Sequence, residues 1–143
     1  MFRSYGITAG LVSVAFGLGL LAGGGVRVDA QRSTRVLEVR RYTANAGKLD
    51  ELVKRMREGE TALFEKHGMK GVFYSVAAEA PDSQTTYLYV LSHASREAAK
   101  TSWDDFRNDA AWKSLRETSE ANGPLVGKVE SIFVSPTDFS PLK

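Results

Sequence analysis

At 143 residues the chain is long enough for one domain with a short appendage. Nineteen Lys and Arg against 17 Asp and Glu give a net charge of +2, too balanced for a nucleic-acid footprint. The absence of cysteine excludes a disulfide framework, a thiolate nucleophile and a sulfur-ligated metal.

The appendage comes first. Residues 1–30 place Arg3 ahead of an uncharged run from Ile7 to Val26 and close on Val28-Asp29-Ala30, the order of a secretory signal peptide. Twenty uncharged residues would also just span a bilayer, so a membrane anchor through residues 7–26 is the competing expectation. Gly10, Gly17, Gly19 and Gly23 to Gly25 dilute the run and disfavour a buried core helix. Cleavage after Ala30 would leave Gln31 as the new N-terminus, with residues 31–143 as the folded domain. Export without disulfides suits a bacterial periplasm or secretion.

Val36 to Thr43 alternates apolar and polar residues, the signature of a strand with Leu37 and Val39 on one face and Glu38, Arg40 and Tyr42 on the other. Asn45-Ala46-Gly47 breaks it. Leu49, Leu52, Val53, Met56, Leu63 and Phe64 then fall at helical spacing. This helix is expected to end at His67-Gly68, because glycine adopts the left-handed conformation cheaply and cations suit a helix C-terminus. His67 therefore reads as a boundary residue. Gly71 to Ala77 is a second strand, and Thr86 to His93 a third, with Tyr87, Tyr89, Leu91 and His93 sharing a face. Ser95 is placed to cap a helix carrying Ala99, Trp103 and Phe106, and Asp109 a shorter one carrying Trp112 and Leu115. Their spacing reads as helix-to-sheet packing. Asn122-Gly123-Pro124 precedes a fourth strand, Val126 to Val134, and a proline-limited tail follows.

The expected class is α+β, in the ferredoxin-like order β-α-β-β-α-β. Such a sheet carries its helices on one side and leaves the other bare. The aromatic face, with Tyr42, Tyr74, Tyr87, Tyr89, Leu91 and His93 together with Glu38 and Arg40, is expected to be the bare one. Its economical cover is a second copy, so that two sheets wrap into a dimeric α/β barrel with room for one small ligand.

Four stretches also resemble the NIPSNAP family: LEVRRYTANAGKLDEL (Leu37 to Leu52), LFEKHGMKGVFY (Leu63 to Tyr74), YLYVLSHASREAAKTSWDDFRND (Tyr87 to Asp109) and VESIFVSPTDFSPL (Val129 to Leu142). The resemblance implies a dimeric α/β barrel on a ferredoxin-like protomer, here as an exported bacterial member. Ala110 departs from the pattern, in which proline follows the aspartate, and the leader unsettles any location borrowed from mitochondrial relatives. The resemblance brings no agreed catalytic set and no cofactor. Oxygenases and heme enzymes on similar barrels are analogies of fold alone.

The ligand pocket is expected among Glu38, Arg40, Tyr42, Tyr74, Tyr87, Tyr89 and His93. Glu38 and Arg40, two apart on one strand, need partners if buried: each other, Glu130 or a second subunit. His93, at a strand end, reads first as a structural histidine and otherwise as the candidate general base, with Arg40 beside it. Two distant histidines without HxH or HxxxH spacing argue against a transition-metal site. Two functions stay open. One is a homodimeric module that binds a small, partly apolar molecule or serves an interaction; the other is a cofactor-independent oxygenase or isomerase. No nucleophile elbow, phosphate loop or dinucleotide fingerprint is present.

Overall fold

The computed structural model describes residues 35–142. In order it contains β1 (Val36–Ala44), α1 (Leu49–Arg55), a π-helical turn (Met56–Glu60), α2 (Thr61–Lys66), β2 (Lys70–Val76), β3 (Thr86–His93), α3 (Arg96–Asn108), α4 (Ala110–Ser119) and β4 (Val126–Val134). The strands form one antiparallel sheet in the order β2-β3-β1-β4. With the π turn counted inside the first helical stretch, this is the expected β-α-β-β-α-β arrangement. The leader expected at residues 1–30 lies outside the described residues. Among those described, no helix is long and apolar enough to cross a membrane.

The local signals act where the sequence puts them. Ser95 Oγ accepts from the Ala98 backbone N–H at 3.1 Å and opens α3, while Asp109 Oδ1 accepts from Ala111 N at 2.7 Å and opens α4. His67 closes α2, and Gly68 follows with φ of +76°, a conformation that a side chain with a Cβ resists. His67 Nε2 also lies 2.7 Å from Asp109 Oδ2, and Lys66 Nζ 2.6 Å from the same oxygen. The end of α2 is thus tied to the start of α4. Gly59, in the π turn, lets α4 approach closely: a Cβ there would sit 2.9 Å from Leu115 Cδ2.

The covering of the sheet reverses the expectation. β1 pairs Glu38 with Leu91, Arg40 with Tyr89 and Tyr42 with Tyr87 on one side, and with Phe133, Ser131 and Val129 of β4 on the other. This face lies under the helices. Tyr42, Ala44, Tyr87, Tyr89 and Leu91 share one core with Leu52, Met56, Phe64, Trp103 and Phe106. Phe64 stacks on Tyr89 with centroids 5.7 Å apart, and Tyr74 stacks on Tyr89 at 6.0 Å. Strand alternation defines two faces but not which one the helices take. The helices' aromatic stripe takes the tyrosine face, where rings can interlock. The opposite face, free of the described helices, carries Leu37, Val39, Leu88 and Val90, with Phe73 46%, Ile132 61% and Val134 36% exposed.

Candidate functional site

Beneath α3 the alternation of β1 drives a carboxylate into the interior. Glu38 is 1% exposed, and four donors surround it. Oε1 accepts from Arg40 Nη1 at 2.6 Å and Ser131 Oγ at 2.6 Å. Oε2 accepts from Trp103 Nε1 at 2.7 Å and lies 3.0 Å from His93 Nε2. Burial works to raise the Glu38 carboxyl, but hydrogen bonds from His93, Ser131 and Trp103 and the charge of Arg40 outweigh it and bring it down to about 2. It is ionised at neutral pH. An ionised carboxylate only accepts, so His93 Nε2 carries the hydrogen of that contact. Among the described residues His93 Nδ1 has no hydrogen-bond partner, although the residue is 1% exposed.

Arg40 completes the cluster. Its guanidinium lies 4.2 Å from the Trp103 ring centroid and 5.5 Å from that of Tyr42. Burial opposes its charge, while Tyr42, Tyr89 and Glu38 more than restore it, so it remains a cation. Of the two partners expected for Glu38 and Arg40 within the chain, they choose each other. Glu130 lies on the other face, opposite Arg41, and pairs with Lys128.

The cluster adjoins solvent through a groove of about 530 Å³ lined by Glu38, Arg96, Glu97, Lys100, Trp103, Arg107 and Phe133. The Arg96 guanidinium lies 3.4 Å from the Phe133 ring centroid, and the Phe133 ring is 5.8 Å from that of His93. Lys100 and Arg107 both pair with Asp104, whereas Arg96 makes no ion pair among the described residues. The groove therefore offers two aromatic rings, a rim cation and a buried carboxylate at its base. That suits a small, partly aromatic molecule with an acidic group.

All seven expected pocket residues lie on one face, but that face packs within a single chain. The correction concerns place: the candidate site sits between sheet and helices, not in a lumen between two sheets. Glu38 and Trp103 border the groove, and Arg40 and His93 lie behind them. Tyr87 and Tyr89 are core, Tyr74 lies at the β2 edge, and Tyr42 borders a different cavity. Trp103, Ser131, Arg96 and Phe133 were missed as site residues. One signal was available for Trp103, since a buried indole N–H requires an acceptor. Among the described residues no group of three or more His, Cys, Asp or Glu is arranged to hold a metal ion.

The NIPSNAP family model matches residues 37–141. Solved structures with a similar fold include a NIPSNAP-like domain protein from Burkholderia xenovorans, at 14% identity and a TM-score of 0.66, covering 76% of this chain and 90% of that one. A NIPSNAP family protein from Agrobacterium tumefaciens is 25% identical with a TM-score of 0.66, covering 76% and 99%. A second protein from that organism, at 18% identity, has a TM-score of 0.65 and covers 76% and 94%. No curated protein matches the sequence.

Proposed function

The chain belongs to the NIPSNAP family, and from that premise we propose that it is a homodimeric small-ligand-binding module that works outside the cytoplasm. The observation that carries the binding reading is the groove over Glu38. A carboxylate held by four donors is rigid, so the groove is preorganised and loses little freedom when a ligand enters. The ligand is a small molecule with an aromatic or apolar body between Trp103 and Phe133 and an anionic group on Arg96. Self-association is supported by the aliphatic face. Phe73, Ile132 and Val134 stand exposed there beside Leu37, Val39 and Val90, a combination rare on a monomer. Export rests on the sequence order of residues 1–30 alone.

Two measurements test this. 1-Naphthoate, one ring system with one carboxylate, is expected to quench Trp103 fluorescence in the wild type and to lose at least tenfold in affinity in Arg96→Ala. Native mass spectrometry of protein from its own host is expected to show a dimer with a bound small molecule. A bare monomer that ignores naphthoate would end the proposal.

A second reading is favoured by His93. Its Nε2 is held by Glu38, and its Nδ1 is buried with no hydrogen-bond partner among the described residues, the arrangement of a histidine oriented by a carboxylate. On that reading the protein is a cofactor-independent oxygenase or isomerase, with Arg40 fixing the charge of Glu38. Loss of turnover in His93→Gln with naphthoate binding intact would favour it.

A further inference from the structure

A second cavity, of about 240 Å³, lies on the helix side of β4, between the π turn and α4, and the groove reading does not use it. Three of its lining groups are buried and carry polar atoms: Glu60, Tyr42 and Arg55. Glu60 is 1% exposed and, among the described residues, receives one hydrogen bond: Arg55 Nε donates to its Oε2 at 2.8 Å. Its Oε1 is left facing the cavity. Tyr42 is the second group. Its hydroxyl oxygen accepts from Tyr89 O–H at 2.7 Å, so its own hydrogen remains to donate. The remaining wall mixes apolar Phe106, Trp112 and Val126 with charged Arg116, Glu120 and Lys128.

The π turn makes this arrangement possible. Inserting a wider turn at Met56–Glu60 carries both Arg55 and Glu60 into the interior, where Arg55 bridges Glu60 to Glu120 (2.9 Å) and lies over the Trp112 ring at 5.1 Å. Such turns interrupt the regular ladder and gather at functional sites. Burial of a carboxyl for stability alone is costly when, as for Glu60 Oε1, one oxygen receives no hydrogen bond among the described residues.

We propose that this cavity is a second ligand site, which takes the hydroxyl of a single-ring phenol or similar alcohol: the hydroxyl donates to Glu60 Oε1 and accepts from Tyr42 O–H. The volume, below that of pockets for drug-sized molecules, limits the occupant to about one ring. Burial pushes the Glu60 carboxyl upward, and Arg55 offsets this in part; a carboxyl so raised accepts strongly from a phenol. Burial also holds the Tyr42 phenol protonated as a donor.

The experiment is a ¹⁹F NMR titration of the purified protein with 4-fluorophenol, and with 4-fluoroanisole as the control that cannot donate. The phenol is expected to bind at least tenfold more tightly than the anisole, since the methyl ether leaves Glu60 Oε1 unpaired. Tyr42→Phe is expected to cost the phenol about tenfold. Val129→Trp, at a half-exposed lining position beside Tyr42 on the neighbouring strand, fills the mouth of the cavity; it is expected to abolish binding while circular dichroism and melting stay as in the wild type. Excess 1-naphthoate is expected not to displace the phenol, which separates this site from the groove. Equal affinity for phenol and anisole, or phenol binding that survives Val129→Trp, overturns the proposal. So does displacement by naphthoate, and so does no binding at millimolar phenol.

Discussion

Replacing Glu38 by glutamine is the most exacting test of the buried cluster. The carboxylate offers two oxygens to four donors, and glutamine offers one oxygen and one NH₂ in the same shape. If the amide oxygen stays with Arg40 and Ser131, its NH₂ faces Trp103 and His93. His93 can exchange its hydrogen to Nδ1 and accept through Nε2, but the indole N–H can only donate and is orphaned. If the amide turns over, NH₂ meets the Arg40 guanidinium instead. Either way a buried cation loses its counter-charge, so the expected cost at pH 7 is about 3–5 kcal/mol. In a domain of this size that lowers the melting temperature by roughly 15 °C or more.

The same substitution predicts a pH signature with a definite sign. Glu38 is lowered from 4.5 to about 2 by folding, so its ionised form stabilises the native state above pH 4.5 and that contribution is lost as pH falls through 2. A shift of this size corresponds to about 3 kcal/mol at neutral pH. Asp104, Asp109 and Glu120 are also lowered by their partners, but they are common to both proteins and cancel in the difference. Urea unfolding followed by circular dichroism at pH 7 and pH 2.5 is the assay. The gap between wild type and Glu38→Gln should be wide at pH 7 and at least half closed at pH 2.5. A gap under 1 kcal/mol at pH 7, or one that does not change with pH, would falsify the view of Glu38 as a fully paired buried anion.

Ile132→Asp, in the middle of the exposed aliphatic face, is expected to convert a dimer to a monomer in sedimentation at micromolar concentration; an unchanged dimer would place the interface elsewhere. Gly68→Val should destabilise by at least about 1 kcal/mol in thermal melts, because φ of +76° opposes a β-branched side chain, and a neutral result would remove the helix-end argument. His67→Asn should preserve the fold and naphthoate binding, since Lys66 and the Ala111 N–H still hold Asp109; lost binding with intact melting would make His67 a site residue. N-terminal sequencing of protein from an envelope fraction should begin at or near Gln31, whereas full-length protein in membranes would favour the anchor.

Order and type of the elements were legible because each rests on a short-range rule. Alternation marks β1 and β3, Ser95 and Asp109 cap their helices, and Gly68 stops α2. The π turn was not legible. Its residues, Met56 to Glu60, fit an ordinary helical stripe, and the wider turn goes with contacts to α4 and its end that the local sequence does not show, Gly59 against Leu115 and Arg55 to Glu120. Trp103 carries two roles, core packing and donation to Glu38, and its spacing reveals only the first. Ser131 offers no sequence signal, because its donor role depends on the β1–β4 register.

The inverted sheet faces carry the sharper lesson. If hydropathy alone chose which face the helices cover, they would cover Leu37, Val39, Leu88, Val90 and Ile132. They cover instead the face with Glu38, Arg40, His93 and the tyrosines. That choice is stable because most polar atoms there are matched: Glu38 satisfies four donors, Arg40 rests on Trp103, and the Tyr42 and Tyr89 hydroxyls meet each other, while Arg40 Nε and His93 Nδ1 find no partner among the described residues. An unmatched version of the same face would cost more than the helices return in burial. A polar interior matched at most of its atoms, beside an aliphatic face left free of the described helices, suits the division of the sheet that the proposed function requires: one side as a rigid wall for a ligand, the other for association. The two tasks should then be separable, with Ile132→Asp dissociating the protein without touching naphthoate affinity and Arg96→Ala weakening naphthoate without dissociating it. If either substitution moved both readouts, the two faces would have to be treated as one coupled unit.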